Sequence, residues 1–232
     1  MLLQDRRDGG RKLAESLAAY KGRNCIVLGL PRGGVAVASE VAATLEAPMD
    51  LLLVRSIEAP RQPGLVVGTV MCGRLPVVVC DRDMLAITGT SHAQFERACQ
   101  HMAAEIGRQY RFYCGERQPE ALFGRTVIVV DDGLSNGDTM RAALRSVRQC
   151  NPQLLVMAVP VMPPGTQEDF QDEADAVVCV AMPIPFSSVQ ECYDDFDPIT
   201  DQEVIQLLSV SLSVSHSASQ SPLSGSWHSS AV

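Results

Sequence analysis

Two adjacent carboxylates, Asp131 and Asp132, directly follow the β-branched run "TVIVV". At the end of a buried strand each charge raises the pKa of the other, and burial penalises both, so the pair needs a partner that offsets this cost. Two vicinal hydroxyl groups of a sugar can donate hydrogen bonds to such a pair. The turn at residues 134–139 carries the hydroxyls of Ser135 and Thr139 and can surround a phosphate with backbone N–H groups. The stretch therefore predicts a site for a sugar followed by its phosphate.

A second glycine-bearing turn lies in "GLPRGGVAVA", from Gly29 to Ala38, between a predicted strand and a predicted helix. Backbone N–H groups and the helix dipole favour an anion at such a point, so the two turns predict a ligand with two phosphate ends. A P-loop is excluded, because the residues after Gly133 lack its spacing and its lysine. A dinucleotide turn is disfavoured, because the second glycine of "GLPRGG" falls too late.

Composition narrows the class of protein. The chain has 232 residues, of which 46% are apolar, and its net charge of -8 argues against nucleic acid or an anionic membrane surface as the main partner. Eight cysteines without a Cys-x-x-Cys pair, and no recognisable secretory signal, predict a reduced, cytoplasmic setting. No apolar run approaches the roughly 18 residues of a membrane span. The four histidines lack metal-ligand spacing, which disfavours a zinc site.

Apolar runs alternate with helical patterns, which is typical of βαβ units and an open α/β parallel sheet. Strands of that sheet are predicted in "NCIVLGL", "MDLLLVR" (Met49 to Arg55), "TVIVV", "LLVMAVPV" and "AVVCVAM", and an antiparallel hairpin in "LVVGTVM" and "LPVVVC". Helices are predicted in "RRDGGRKLAESLAAY", at 33–45, 91–113 and 137–150, in "TQEDFQDEA", and again before Leu208. Ligands of open sheets bind beyond the carboxyl ends of the strands, where both glycine turns fall.

Residues 1–208 are predicted to form one domain. The Ser-rich segment 209–232 predicts a disordered tail, with an edge strand in "LSVSLSVS" as the alternative. The Pro- and Gly-bearing segment "SIEAPRQPG" predicts a mobile lid.

Four stretches in this order resemble a known family. "VIVVDDGLSNGDTM" is similar to the 5-phosphoribosyl-1-pyrophosphate (PRPP) motif of type I phosphoribosyltransferases, and "GLPRGGVAVA" to their pyrophosphate loop. "DRRDGGRKLAE" and "PFSSVQECYDDF" extend the resemblance to a bacterial group of predicted phosphoribosyltransferases. The resemblance implies a parallel core of about five strands with helices on both faces. It also implies a small hood, drawn from the N-terminal segment and about residues 183–200.

The resemblance also implies an activity: transfer of ribose 5-phosphate from PRPP to or from a nitrogenous base, with pyrophosphate as leaving group and Mg²⁺ as cofactor. Asp131 and Asp132 would hold the ribose hydroxyls and, directly or through water, the Mg²⁺. The PRPP phosphate would be bound by Leu134, Ser135, Asn136, Gly137, Asp138 and Thr139. The pyrophosphate would meet Arg32, Gly33, Gly34 and, from the end of the second strand, Arg55.

The sequence departs from the family pattern at three positions. Asn136 replaces a threonine, Asp138 adds a carboxylate to a loop meant for an anion, and Ser56 follows Arg55 where many relatives carry a second basic residue. These departures keep a second hypothesis open: a catalytically weak or inactive PRPP- or nucleotide-binding regulatory protein on the same fold. A sugar-phosphate hydrolase ranks last, because no nucleophile and base pair is recognisable. The acceptor base and the oligomeric state stay open, with a homodimer among the options.

Overall fold

The computed structural model describes the chain from residue 2 to residue 217, with side chains to residue 210. Its strands are β1 (Cys25–Gly29), β2 (Met49–Leu51), β3 (Val54–Ala59), β4 (Gln62–Met71), β5 (Val77–Cys80), β6 (Thr126–Val130), β7 (Leu154–Val161) and β8 (Ala176–Ala181). Its α-helices are α1 (Arg6–Ser16), α2 (Gly33–Leu45), α3 (Arg82–Thr88), α4 (His92–Cys114), α5 (Asp138–Arg148) and α6 (Asp201–Ser217).

Five strands form the predicted parallel sheet, in the order β2-β1-β6-β7-β8. Strands β1 and β6 are buried along their whole length, as their continuous apolar runs require of central parallel strands. They pair in parallel up to Gly29 opposite Val130. The turns that follow these two strands, "LPRGG" and "DDGLSNG", therefore leave the sheet side by side.

Successive residues of the central strands enter two separate cores. Val27 and Val130 pack with Val41 of α2 on one face of the sheet, in a core that α1, α4 and α6 extend. Leu28 of β1 packs with Leu144 of α5 in the core on the other face. This arrangement of a parallel sheet between helices confirms the predicted fold class, which is the type I phosphoribosyltransferase fold.

The predicted second strand, Met49 to Arg55, is wrong in its extent. Leu52 still donates its N–H to the Gly29 carbonyl of β1 at 3.0 Å, but the next carbonyl, that of Leu53, accepts from Cys72 at 2.9 Å. The backbone thus changes partner within two residues. Val54 and Arg55 begin β3, which belongs to a separate antiparallel sheet in the order β3-β4-β5.

The second sheet contains the predicted hairpin, with β4 and β5 antiparallel. The segment "SIEAPRQPG", predicted to be a lid, lies mostly in β3 and β4 and in the tight turn that joins them, where Ala59 pairs with Gln62. The first sheet thus carries the strand ends of interest, and the second is an added antiparallel layer.

The C-terminal helix extends beyond its predicted end. α6 continues to Ser217, so the first nine residues of the predicted tail, 209–217, are helical, and the alternative of an edge strand is wrong. Residues 218–232 of that prediction lie outside the described part of the chain. Between residues 2 and 217, no helix has the length and apolarity needed to cross a membrane.

Candidate active site at the ends of β1 and β6

The glycine turn after β1 packs directly on the two carboxylates after β6. A Cβ added to Gly33 would lie 1.8 Å from Oδ2 of Asp132, and one added to Gly34 would lie 2.8 Å from the Cα of Asp131. Side chains are sterically excluded at both positions, so the glycines are needed for close approach. The two predicted anion turns therefore form one site, and the N-terminus of α2 abuts the carboxylate pair.

The two carboxylates are close enough to affect each other. The backbone N–H of Asp132 donates to Oδ1 of Asp131 at 2.9 Å. Burial, and then the negative charge of Asp132, raises the pKa of Asp131 well above its usual range. The expected mutual penalty is therefore present in the structure.

A cation that the sequence analysis did not single out pairs with this site. Arg6, in the first turn of α1, places Nε 2.7 Å from Oδ2 of Asp132, and the two side chains are 10% and 17% exposed. The same guanidinium donates to the Asp197 carbonyl at 2.7 Å and lies 3.7 Å from the ring centre of Phe196. Arg6 occurs within the recognised stretch "DRRDGGRKLAE", but nothing local in that charged helix signals that this arginine is buried.

A buried tyrosine also contacts the carboxylate pair, and the sequence analysis did not assign it to the site. The hydroxyl of Tyr193 donates to the backbone carbonyl of Asp132 at 2.6 Å. Burial, and then the charge of Asp132, raises the pKa of this phenol. Its ring lies 5.0 Å from that of Phe196. Tyr193 thus fixes the main chain of Asp132, while Arg6 fixes its side chain.

Two distant segments of the chain join to deliver these contacts. Leu3 donates its N–H to the Cys192 carbonyl at 3.1 Å, Asp194 donates to the Leu3 carbonyl at 2.9 Å, and Asp195 donates to Gln4 at 2.9 Å. The N-terminal segment and residues 192–195 are the two parts from which a hood was predicted. Their role as a hood over a ligand stays a prediction.

The predicted phosphate turn, residues 134–139, leads into α5. Gly137 adopts φ 77° at the helix start, and a Cβ there would lie 2.7 Å from the Phe170 ring, so glycine is favoured both by conformation and by space. Leu134 is buried and donates its N–H to Val161 at 2.9 Å. Ser135 and Thr139 are exposed. Their hydroxyls lie on the accessible side of the turn.

The two unusual residues of this turn bond to each other. The side-chain amide of Asn136 donates to Oδ2 of Asp138 at 2.8 Å, and the backbone N–H of Asp138 lies 3.4 Å from Oδ1 of Asn136. Both side chains are exposed. The Asn136 amide, which could replace the missing threonine hydroxyl, is thus engaged by Asp138.

The two predicted pyrophosphate arginines lie apart from the carboxylates. Arg32 precedes α2, is 56% exposed, and reaches Asp201 of α6 at 3.5 Å. Arg55 bonds to Gln109 of α4 at 3.0 Å, because the strand that carries it belongs to the second sheet. Of the two, only Arg32 is adjacent in the chain to the glycines at the site. A role for Arg55 stays a prediction.

The donor set at the site can be tested against Mg²⁺. No group of three or more His, Cys, Asp or Glu side chains with metal-site geometry occurs in the described part of the chain. Mg²⁺ does not need one, because it is commonly held by one or two carboxylates, water and substrate phosphates. Asp131 and Asp132 fit this mode, in which a phosphorylated ligand supplies the remaining oxygens.

Comparison with known proteins agrees with the site. The family model of the phosphoribosyl transferase domain matches residues 3–195. The chain belongs to this phosphoribosyl transferase family. The Mycobacterium tuberculosis H37Rv protein named "Putative phosphoribosyl transferase Rv0571c" is 38% identical over 207 residues, which are 89% of this chain and 46% of that protein. A protein of the same kind from strain CDC 1551 matches equally. The chain thus spans about half the length of these curated relatives.

A solved structure supports the same assignment. The crystal structure of TT1426 from Thermus thermophilus is similar to this phosphoribosyl transferase with a TM-score of 0.76 and 37% identity, over 90% of this chain and 98% of that one. At this identity the likeness extends beyond the fold to the sequence that builds it.

Proposed function

We propose that this phosphoribosyl transferase is a Mg²⁺-dependent enzyme that uses PRPP and transfers ribose 5-phosphate to or from a nitrogenous base, within nucleotide or nucleoside metabolism. One observation carries the proposal. Gly33 and Gly34 of one anion turn lie against Asp132 and Asp131 of the other, so two phosphate sites flank a carboxylate pair. PRPP has the matching chemistry: a diol between a 5′-phosphate and a pyrophosphate.

The residues divide the ligand among them. Asp131 and Asp132 accept hydrogen bonds from the ribose 2′ and 3′ hydroxyls and, directly or through water, hold Mg²⁺. The 5′-phosphate is bound by the backbone N–H groups and hydroxyls of residues 134–139. The pyrophosphate is bound by Gly33 and Gly34 at the N-terminus of α2, with Arg32 and Arg55 as cations. The metal supplies charge neutralisation at the leaving group.

The reaction asks the protein mainly for positioning and electrostatics. The bond from the anomeric carbon to the pyrophosphate oxygen breaks, and a bond from that carbon to a base nitrogen forms. Pyrophosphate leaves with the bonding electron pair, and the proton of the attacking nitrogen passes to solvent or to a basic group. Positive charge develops on the sugar ring in between. The adjacent carboxylates supply negative charge beside that ring.

A second function has one specific observation in its favour. The pair Asn136–Asp138 places a carboxylate in the phosphate turn and occupies the amide that would otherwise donate. A carboxylate about 4 Å from a phosphate costs roughly 1 kcal/mol per unit charge in water. This arrangement fits a protein that binds PRPP or a nucleotide as a signal, with little turnover.

A pyrophosphate-release assay across a panel of purine and pyrimidine bases, with PRPP and Mg²⁺, separates the two functions. Release with at least one base, lost in Asp131→Asn and retained in the exposed control Asp172→Asn, supports the enzyme. Saturable PRPP binding without release for any base supports the regulatory protein and contradicts the enzyme. Absence of PRPP binding contradicts both.

A further inference from the structure

Arg6 is a buried charge that comes to the site from 126 positions away in the sequence. A buried guanidinium is costly unless it is paired and hydrogen-bonded. Arg6 meets both conditions through Asp132 at 2.7 Å and the Asp197 carbonyl at 2.7 Å, and it also lies on the face of Phe196. Contacts on three sides fix the guanidinium in one orientation.

The ion pair leaves half of the Asp132 carboxylate unused. Arg6 bonds to Oδ2, the same oxygen that lies against Gly33. In the described part of the chain, no hydrogen bond is accepted by the other oxygen, Oδ1. Asp132 therefore turns one oxygen towards the protein and keeps the other for a further partner.

The main chain of Asp132 is fixed by the same unit. Tyr193 donates to the Asp132 carbonyl, and the backbone of Tyr193 forms a parallel bridge with Leu3, three residues before Arg6. The cation that holds the carboxylate and the hydroxyl that holds its backbone therefore move together or not at all.

We propose that Arg6 is a positioning residue that holds the Asp132 carboxylate with Oδ1 directed at the ribose diol and the Mg²⁺. The inference rests on the proposed function, because it assigns that ligand to the freed oxygen. Phe196 and Asp197 retain the guanidinium, so Arg6 stays with Asp132 when the phosphates of PRPP arrive. Arg6 acts through Asp132 and does not itself touch the reacting atoms.

Calorimetric titration with PRPP and Mg²⁺ tests the inference with Arg6→Ala and its neighbour Arg7→Ala, an exposed arginine of the same charge. We expect Arg6→Ala to weaken PRPP binding about ten-fold or more, the loss typical of a hydrogen bond to a charged group. Millimolar methylguanidinium should restore much of that affinity. Arg7→Ala should bind like the wild type, with or without methylguanidinium.

Each outcome decides the matter. Wild-type affinity in Arg6→Ala, or a loss that methylguanidinium does not rescue, overturns the positioning role while PRPP binding by the wild type upholds the proposed function. No PRPP binding by the wild type overturns the proposed function and this inference with it. If Arg6→Ala does not fold, Arg6→Lys replaces it: the charge is kept but the Nε donor is lost, and unchanged affinity there overturns the inference.

Discussion

Two groups of buried carboxylates in this molecule are treated in opposite ways. Asp50, in the edge strand β2, is 2% exposed and accepts hydrogen bonds from four donors. The donors are the N–H groups of Leu51 and Glu120, the hydroxyl of Tyr110 and the guanidinium of Arg117. Asp50 is thus saturated, and these bonds connect β2 to α4 and to the segment after it.

The pair Asp131–Asp132 is left unsaturated. Within residues 2–210, its two carboxylates share one cation, Arg6, and one backbone N–H donor. Burial is the main cause that raises the pKa of Asp50 and also that of Asp131. A raised pKa therefore does not separate a structural carboxylate from a functional one here. The number of donors separates them, because free carboxylate oxygens can receive a diol and a metal.

The largest expected effect tests the structural half of this comparison. Asp50→Asn leaves the buried guanidinium of Arg117 without its countercharge, and breaking such a pair costs about 3–5 kcal/mol. Urea unfolding should show this loss. The exposed control Asp172→Asn should change the free energy of unfolding by less than about 0.5 kcal/mol. A loss below about 1 kcal/mol in Asp50→Asn would mean that the saturated carboxylate is not structural.

Gly34→Ala tests how tightly the two turns are joined. The added Cβ would lie 2.8 Å from backbone atoms of Val130 and Asp131, so strain of about 1–3 kcal/mol is expected, together with weaker PRPP binding. Gly107→Ala in α4, where the nearest neighbour of the new Cβ would be an Arg111 side-chain atom at 3.8 Å, is the matched control. It should stabilise the protein by about 0.5–1 kcal/mol. Equal stability of the two variants would contradict the close packing of the site.

Asp138→Asn sharpens the functional half of the comparison. Removing a negative charge near the 5′-phosphate should tighten PRPP binding by about 1 kcal/mol, or roughly five-fold, if the distance is near 4 Å. The measurement is the dissociation constant at low and high salt, since screening should shrink the gain. Unchanged affinity at low salt would show that the Asp138 charge does not reach the phosphate.

Asp131→Asn should have the smallest effect on stability. Because the folded state raises the pKa of Asp131, it binds the proton more tightly than the unfolded chain, and this contribution is lost as pH rises through the raised pKa. The wild type should therefore lose stability relative to Asp131→Asn between acidic and neutral pH. Unfolding curves across that range measure the difference. A variant that is less stable at neutral pH would assign Asp131 a structural role like that of Asp50.

The central fold could be predicted because its signals are local. Strands β1 and β6 are unbroken apolar runs, and α2, α4 and α5 have clear helical spacing. The end of β2 could not, because "MDLLLVR" stays apolar through the point where the backbone changes partner from β1 to β4. That change depends on the Cys72 N–H bond to Leu53, which joins residues 19 apart.

The site was predictable for the same reason and to the same limit. Asp131, Asp132, Gly33 and Gly34 lie in short motifs, whereas Arg6 and Tyr193 reach Asp132 only through the folded chain. A single charged residue inside an apolar strand, as in Asp50, does carry a usable signal: a buried charge must have partners. Their identity, Tyr110 and Arg117, depends on how α4 packs.

The most direct test of the account is the affinity of PRPP with Mg²⁺ for the wild type and for Asp131→Asn, measured by calorimetry at neutral pH. The account predicts saturable, Mg²⁺-dependent binding to the wild type, and a loss of about ten-fold or more in Asp131→Asn while the variant stays folded. Equal affinity in the two folded proteins would contradict the claim that the unsaturated carboxylates exist for the ligand.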